Sequence, residues 1–289
     1  MKRFARSHKR AGLLSVLVLL VLSLALVAGC GGGGKNVPKG DDSGDTGLKT
    51  IKVGASPTPH AKILEHMAVD LAAEGYKLEI VNYDDYVLPN TDLDAGEIQA
   101  NYFQHQPYLD KFNEEKGTDI ISVAAIHFEP LGLYAGKARS IEELSSGAKI
   151  AVPNDPTNEA RALLLLEAKG LIEIKSGAGL EATVRDITKN DKNIQFVELE
   201  AAAIPRTLAE VDLAVINGNY ALDAALSPND LVASEAADSL AATTFANIIA
   251  VKAGNESDPG VKALAKVLTS AKAKAFIEEE FGGAVVPVF

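Results

Sequence analysis

The chain has no tryptophan, one cysteine and two methionines, and only 6% of its 289 residues are aromatic. A single thiol excludes internal disulfides and a Cys-rich metal set. Neither a GxSxG elbow nor an HExxH pair occurs, so the common hydrolase and zinc-protease patterns are missing, and no catalytic residue is assigned. Bases are scarce as well, with 28 Lys and Arg against 39 Asp and Glu. Five of those bases (Lys2, Arg3, Arg6, Lys9, Arg10) fall in residues 1–29, which hold no acid, so the remainder carries 23 bases against 39 acids. Such a surface repels phosphate backbones, and nucleic-acid binding is not expected.

The one long apolar run, GLLSVLVLLVLSLALVAG, follows the basic N-terminus and ends at Cys30. A positive end, a hydrophobic stretch and small residues before a cut make a secretory signal over 1–29. Val27-Ala28-Gly29-Cys30 resembles the bacterial lipobox, in which the cysteine is acylated and becomes the new N-terminus. An uncleaved membrane span is the alternative, although the run is at the short end for crossing about 30 Å. Acyl chains contribute about 0.8 kcal/mol per buried CH₂, so several hold a protein to the bilayer. The segment after Cys30, GGGGKNVPKGDDSGDTGLK, holds seven glycines and reads as a tether over 30–47. About 17 flexible residues reach roughly 20–25 Å. No helix follows the glycine run, so it is a poor phosphate cradle, and no cofactor is expected.

Beyond the tether, strands and helices alternate. IKVGAS (51–56), KLEIVNY (77–83), QANYFQ and DIISVAAIHF read as strands, with helices over 60–75 and 107–115. After HFEPLGLYAGK (127–137) a second series begins: AKIAVP, the helix EARALLLLEAKG, NIQFVEL, a helix near 201–210 and DLAVI. FANIIAVKAG then gives a strand, and a helix runs from Pro259 to about Phe276. The rhythm predicts parallel, doubly wound sheets in two α/β lobes. Lobe I takes 48–130 and 243–289, lobe II takes 131–242, and the ligand is expected in the cleft, beyond the strand ends.

Four clusters stand at those ends. PNDPTNEAR (153–161) offers Asp155 as N-cap, Pro156 at the first helical position, and Asn158 and Arg161 three apart on one face. A helix N-terminus beside a guanidinium that can make two parallel bonds is a carboxylate clamp; a surface arginine on a capped helix is the plainer alternative. In VINGNY (215–220), Asn217 and Asn219 bracket a glycine, which suits a zwitterion or a simple Asn-Gly turn. Glu129 at the first crossing suits an ammonium, or is a solvated hinge residue. NYFQHQPY (101–108) concentrates rings, and Phe103, His105 and Tyr108 form one wall of an apolar slot, or plain core. Ring edges attract sulfur by about 0.3–1.5 kcal/mol, which suits a thioether. His60, His66, His105 and His127 lack the spacing of a ligand set, so no metal is expected.

YFQHQPYL, SVAAIHFEPLGLY, AKIAVPNDPTNEARALLLLEAKGLI, VRDITKN, VINGNYAL, ANIIAVKAG and GAVVPVF together resemble the methionine-binding lipoproteins of ABC importers, the NlpA/MetQ type, over about residues 48–289. The resemblance implies a two-lobed periplasmic-binding-protein fold on a lipid anchor at the cell membrane, facing outside the cytoplasm. It implies no enzymatic activity, and delivery of L-methionine to a permease driven by an ATPase. Phe103, His105 and Tyr108 then correspond to the side-chain pocket, Asn158 and Arg161 to the carboxylate-binding pair, Glu129 and Asn217 to further polar contacts, and Tyr220 to the pocket edge. Another small amino acid, a Met-containing dipeptide, or a surface adhesin or sensor role are the alternative readings.

Overall fold

Ile51, Val53 and Ala55 alternate along one strand and bury against the apolar stripe Ile63, Leu64, Met67 and Leu71 of the helix that follows. Repetition of this unit builds the protein. The computed structural model describes residues 47–236 and 243–289. The expected signal peptide 1–29, the lipidation residue Cys30 and the tether up to residue 46 lie outside the described residues.

The strands in chain order begin with β1 (Lys49–Ala55), β2 (Tyr76–Asn82), β3 (Ala100–His105), β4 (Ile120–Phe128), β5 (Gly132–Ala135) and β6 (Lys149–Pro153). Then come β7 (Glu173–Ile174), β8 (Ile187–Lys189), β9 (Gln195–Leu199), β10 (Leu213–Ile216), β11 (Leu231–Ser234), β12 (Asn247–Lys252) and β13 (Val286–Pro287). One six-stranded sheet has the order β13-β4-β12-β3-β1-β2, and a five-stranded sheet has the order β11-β5-β10-β6-β9. Parallel pairing, expected from the rhythm, joins β1 to β2 and β3, and β6 to β9 and β10. β12 instead runs antiparallel to β3 and β4, and β5 antiparallel to β10 and β11, so both sheets are mixed. β5 follows β4 directly as the chain passes between the sheets, without the helical crossover that parallel pairing requires.

Both faces of each sheet are covered. In β10, Leu213 and Val215 join a core with Leu163 and Leu166, while Ala214 and Ile216 join a second core with Ile204 and Tyr220. That double burial is why the strand reads as a continuous apolar run. The main helices are α1 (Lys62–Ala73), α2 (Leu88–Ala95), α3 (Gln106–Lys116), α4 (Pro156–Ala168) and the short α5 (Gly218–Asp223). The helix predicted near 201–210 is 3₁₀, Ala201–Thr207, with Pro205 inside it. The helix predicted over 259–276 is two, Pro259–Leu268 and Ala271–Phe281. Ser270 interrupts them by accepting the Ala273 N–H on its hydroxyl, as an N-cap does. β5, β11 and β13 escape the sequence pattern because runs of two to four residues carry too little periodicity.

Candidate functional site

Strands β3, β6 and β10 deliver their carboxyl ends to one cavity. Tyr86, Phe103, Gln104, His105, Tyr108, Glu129, Asn158, Arg161, Asn217, Gly218, Asn219 and Asn247 line it. Seven of the eight residues singled out from sequence therefore share this space. Tyr220 does not line it: its hydroxyl donates to the Asp84 carbonyl at 3.1 Å and its ring lies 5.0 Å from that of Tyr86.

The ring wall forms where β3 runs into α3. His105 is the N-cap of α3, its Nδ1 accepting the Tyr108 N–H at 3.2 Å. Nε2 therefore carries the proton and donates to Asn158 Oδ1 at 3.3 Å. Burial, followed by the nearby Arg161 charge, pushes this imidazole down to about 3, so it is neutral. Tyr86 completes the wall, 5.9 Å from Phe103 and 5.8 Å from Tyr108, and accepts the Tyr108 hydroxyl proton on its carbonyl. Strict alternation would send Gln104 to the face opposite Phe103. The register between β3 and β12 shifts at this point, with Ile248 beside Gln104 but Ile249 beside Tyr102, and Gln104 reaches the cavity too.

The polar wall begins with α4, capped as the sequence predicts: Asp155 accepts the Asn158 N–H at 3.0 Å and Pro156 follows it. The Asn158 amide is committed to its neighbours, donating to Asp155 and accepting from His105 and from Asn217 Nδ2 at 2.9 Å. Arg161, only 4% exposed, lies with its guanidinium carbon 4.2 Å from the Phe245 ring centroid. Its Nε and Nη2 donate to the two carboxylate oxygens of Glu235 at 2.8 and 2.5 Å, and Nη2 also donates to the Glu129 carbonyl. The two-bond edge expected to meet a ligand is thus already occupied by this chain's own carboxylate. Phe245 and Glu235 lie outside the four clusters at the strand ends, although the strand segment FANIIAVKAG includes Phe245.

After β10, Asn217 and Asn219 each keep one buried atom without a partner among the described residues, Asn217 Oδ1 and Asn219 Nδ2. One is an acceptor and the other a donor, and unpaired buried polar atoms cost about 1–3 kcal/mol each unless something fills them. Gly218 between them is required sterically, because a Cβ there would sit 2.6 Å from Glu129 Cβ and 2.8 Å from Oε2. Glu129 is buried rather than a solvated hinge residue. Its Oε1 accepts from His127 Nε2 at 2.7 Å and lies 3.4 Å from His60 Nε2, and Tyr102 O–H bonds to His127 Nδ1. Burial raises the Glu129 carboxyl, which His60 and then Arg161 partly offset; burial also lowers His60 to about 4 and His127 to about 3.

His60 joins His127 and Glu129, which are two residues apart in the chain, so that their ligand atoms lie within 4.8 Å of one another. This donor set has the composition of a His₂Glu cation site. His127 Nε2 bonds Glu129 Oε1 and His60 Nε2 lies 2.9 Å from Asn247 Oδ1, while the buried His60 Nδ1 has no partner among the described residues.

The family described as NlpA lipoprotein matches residues 51–289. The chain belongs to that family. Among relatives, the D-methionine-binding lipoprotein MetQ of Salmonella typhimurium is 40% identical over 272 residues, covering 92% of this chain and 94% of that one. A solved nutrient binding protein from Burkholderia cenocepacia bound to methionine is 44% identical with a TM-score of 0.79, covering 83% of this chain and all of that one. A solved ABC transporter periplasmic substrate-binding protein from Coxiella burnetii is 40% identical with a TM-score of 0.77, covering 82% and 100%. This NlpA lipoprotein thus has the two-sheet fold of periplasmic substrate-binding proteins. Among the described residues no helix is long and apolar enough to cross a membrane.

Proposed function

We propose that this NlpA lipoprotein is the substrate-binding component of an ABC importer, closing two lobes around methionine and passing it to a permease driven by an ATPase. The observation that carries the reading is one cavity combining a ring wall, a buried guanidinium, a buried carboxylate and two unpaired amide atoms. Those groups complement the three parts of one amino acid. Phe103, His105, Tyr108 and Tyr86 enclose the thioether, whose sulfur gains from ring edges. Arg161 Nη1 and Asn219 Nδ2 meet the carboxylate, and Asn217 Oδ1 and Glu129 meet the ammonium. Asn158 holds His105 and Asn217 in place.

Lobe I comprises 48–130 and 243–289, and lobe II 131–242. Tyr86 O–H donates across the cleft to Asn219 Oδ1 at 2.6 Å, and His105 bonds Asn158, contacts that suit a closed form. Closure excludes water and strengthens each charged contact. The protein catalyses no reaction in this role. Residues 1–29 direct export, Cys30 carries the lipid, and the tether lets the lobes stand outside the cytoplasm beside the permease. Denaturing the purified protein and identifying the released small molecule by mass spectrometry tests the reading: methionine supports it, and a different amino acid reassigns the ligand.

A further inference from the structure

Glu235 lies outside the ring and amide walls, yet it is the residue most tightly joined to the cleft cation. Its side chain is 10% exposed. Oε1 accepts from Arg161 Nε at 2.8 Å, and Oε2 accepts from Arg161 Nη2 at 2.5 Å and from the Leu131 N–H at 2.9 Å. The Glu235 N–H in turn donates to the Leu131 carbonyl at 3.1 Å. Leu131 belongs to the first crossing between the sheets, as does Glu129, whose carbonyl takes a further bond from Arg161 Nη2. Glu235 begins the second crossing, just beyond β11. One guanidinium and one carboxylate therefore tie both crossings together at the floor of the cleft.

This arrangement divides the guanidinium. Nε and Nη2 are committed, and among the described residues Nη1 has no hydrogen-bond partner. Arginine has a planar fork of five N–H donors, and fixing one edge fixes the direction of the rest. We infer that Glu235 is a positioning residue for ligand capture: it locks Arg161 so that Nη1 alone is offered to the ligand's carboxylate, and it couples that contact to the two interlobe crossings. This rests on the amino-acid reading of the cleft. The opposite role would make Glu235 a competitor that occupies the fork until a ligand displaces it, and the two roles predict affinity changes of opposite sign.

Glu235→Gln is nearly isosteric but places an amide donor against donors, and Glu235→Ala removes the acceptor altogether. With the full chain in detergent, stripped of bound ligand, calorimetry compares L-methionine with L-methioninol, which keeps ammonium and thioether but has no carboxylate. Both variants are expected to bind L-methionine about tenfold or more weakly, because a buried donor edge is left unpaired. L-Methioninol affinity changes less than about threefold, since the carboxylate-directed contact is the one disturbed. Equal losses for both ligands, or unchanged or tighter binding of L-methionine, overturn the proposal. A ligand-independent readout separates it from the amino-acid reading: the Arg161 Nε–H nitrogen-proton signal is protected from exchange in the wild type and loses that protection in Glu235→Gln. An unprotected wild-type signal, or one unaffected by the substitution, refutes the positioning role even if no methionine heat is seen.

Discussion

At the scale of the single residue, a buried ion is governed by what it keeps when its partner goes. Arg161→Ala strips Glu235 of both guanidinium bonds and leaves a ligand carboxylate without its cation. Losing one partner of a desolvated charge pair costs about 2–5 kcal/mol, so methionine affinity is expected to fall at least about thirtyfold. Titration calorimetry measures this, and an affinity within twofold of wild type removes Arg161 from the site. The imidazoles supply a second test. His105 and His127 are lowered to about 3 and His60 to about 4, by burial first in each case. Between those values and an unfolded-state value near 6.5, the unfolded chain binds protons that the native chain does not. Their contribution to stability is therefore full above about pH 6.5 and is lost as pH falls. Nitrogen NMR at pH 5.5 is expected to show all three rings neutral; an imidazolium at His105 would contradict its place between Tyr108 N–H and Asn158. The buried Glu129 adds a pH dependence of ligand binding. Its raised carboxyl takes up a proton as pH falls, so methionine binding weakens on acidification and Glu129→Gln flattens that dependence.

Elements set how closely those residues approach. α5 begins at Gly218 because only a residue without Cβ lets the turn after β10 lie against Glu129. Gly218→Ala is expected to cost about 1–3 kcal/mol of stability by overpacking and to weaken ligand binding as well. Denaturant unfolding together with calorimetry reads both; a fully stable variant with native affinity would mean that the turn has slack. Much at this scale is legible in the sequence. Asp155-Pro156 announces the start of α4, and the Asn158–Arg161 spacing follows from the helix it opens. The aromatic concentration at 102–108 predicts a ring wall. What escapes is whatever depends on pairing between distant strands. Tyr86 lies on an irregular loop with no periodicity. Asn247 sits in a strand that otherwise reads as buried core, and Gln104 turns inward through a register shift. Tyr220 goes the other way: sequence puts it one turn after Asn217, but the short α5 directs its ring behind Tyr86 rather than into the cavity.

For the whole molecule, composition and rhythm convey two α/β lobes, whereas antiparallel β5 emerges only from how the chain passes between sheets. Both crossings converge on the Arg161–Glu235 pair, so under the proposed function a ligand contact at Arg161 bears on the passage between the sheets. The lipid anchor belongs to this scale as well: Cys30→Ala is expected to leave an unlipidated precursor, and acyl labelling at the wild-type level would refute anchoring at that residue. The most direct test of the account is calorimetry of L-methionine with ligand-stripped protein, since a prebound ligand would hide the heat. A saturable one-site isotherm for L-methionine, lost in Arg161→Ala, is the predicted result. No heat with L-methionine, together with a clear isotherm for another amino acid, would contradict it.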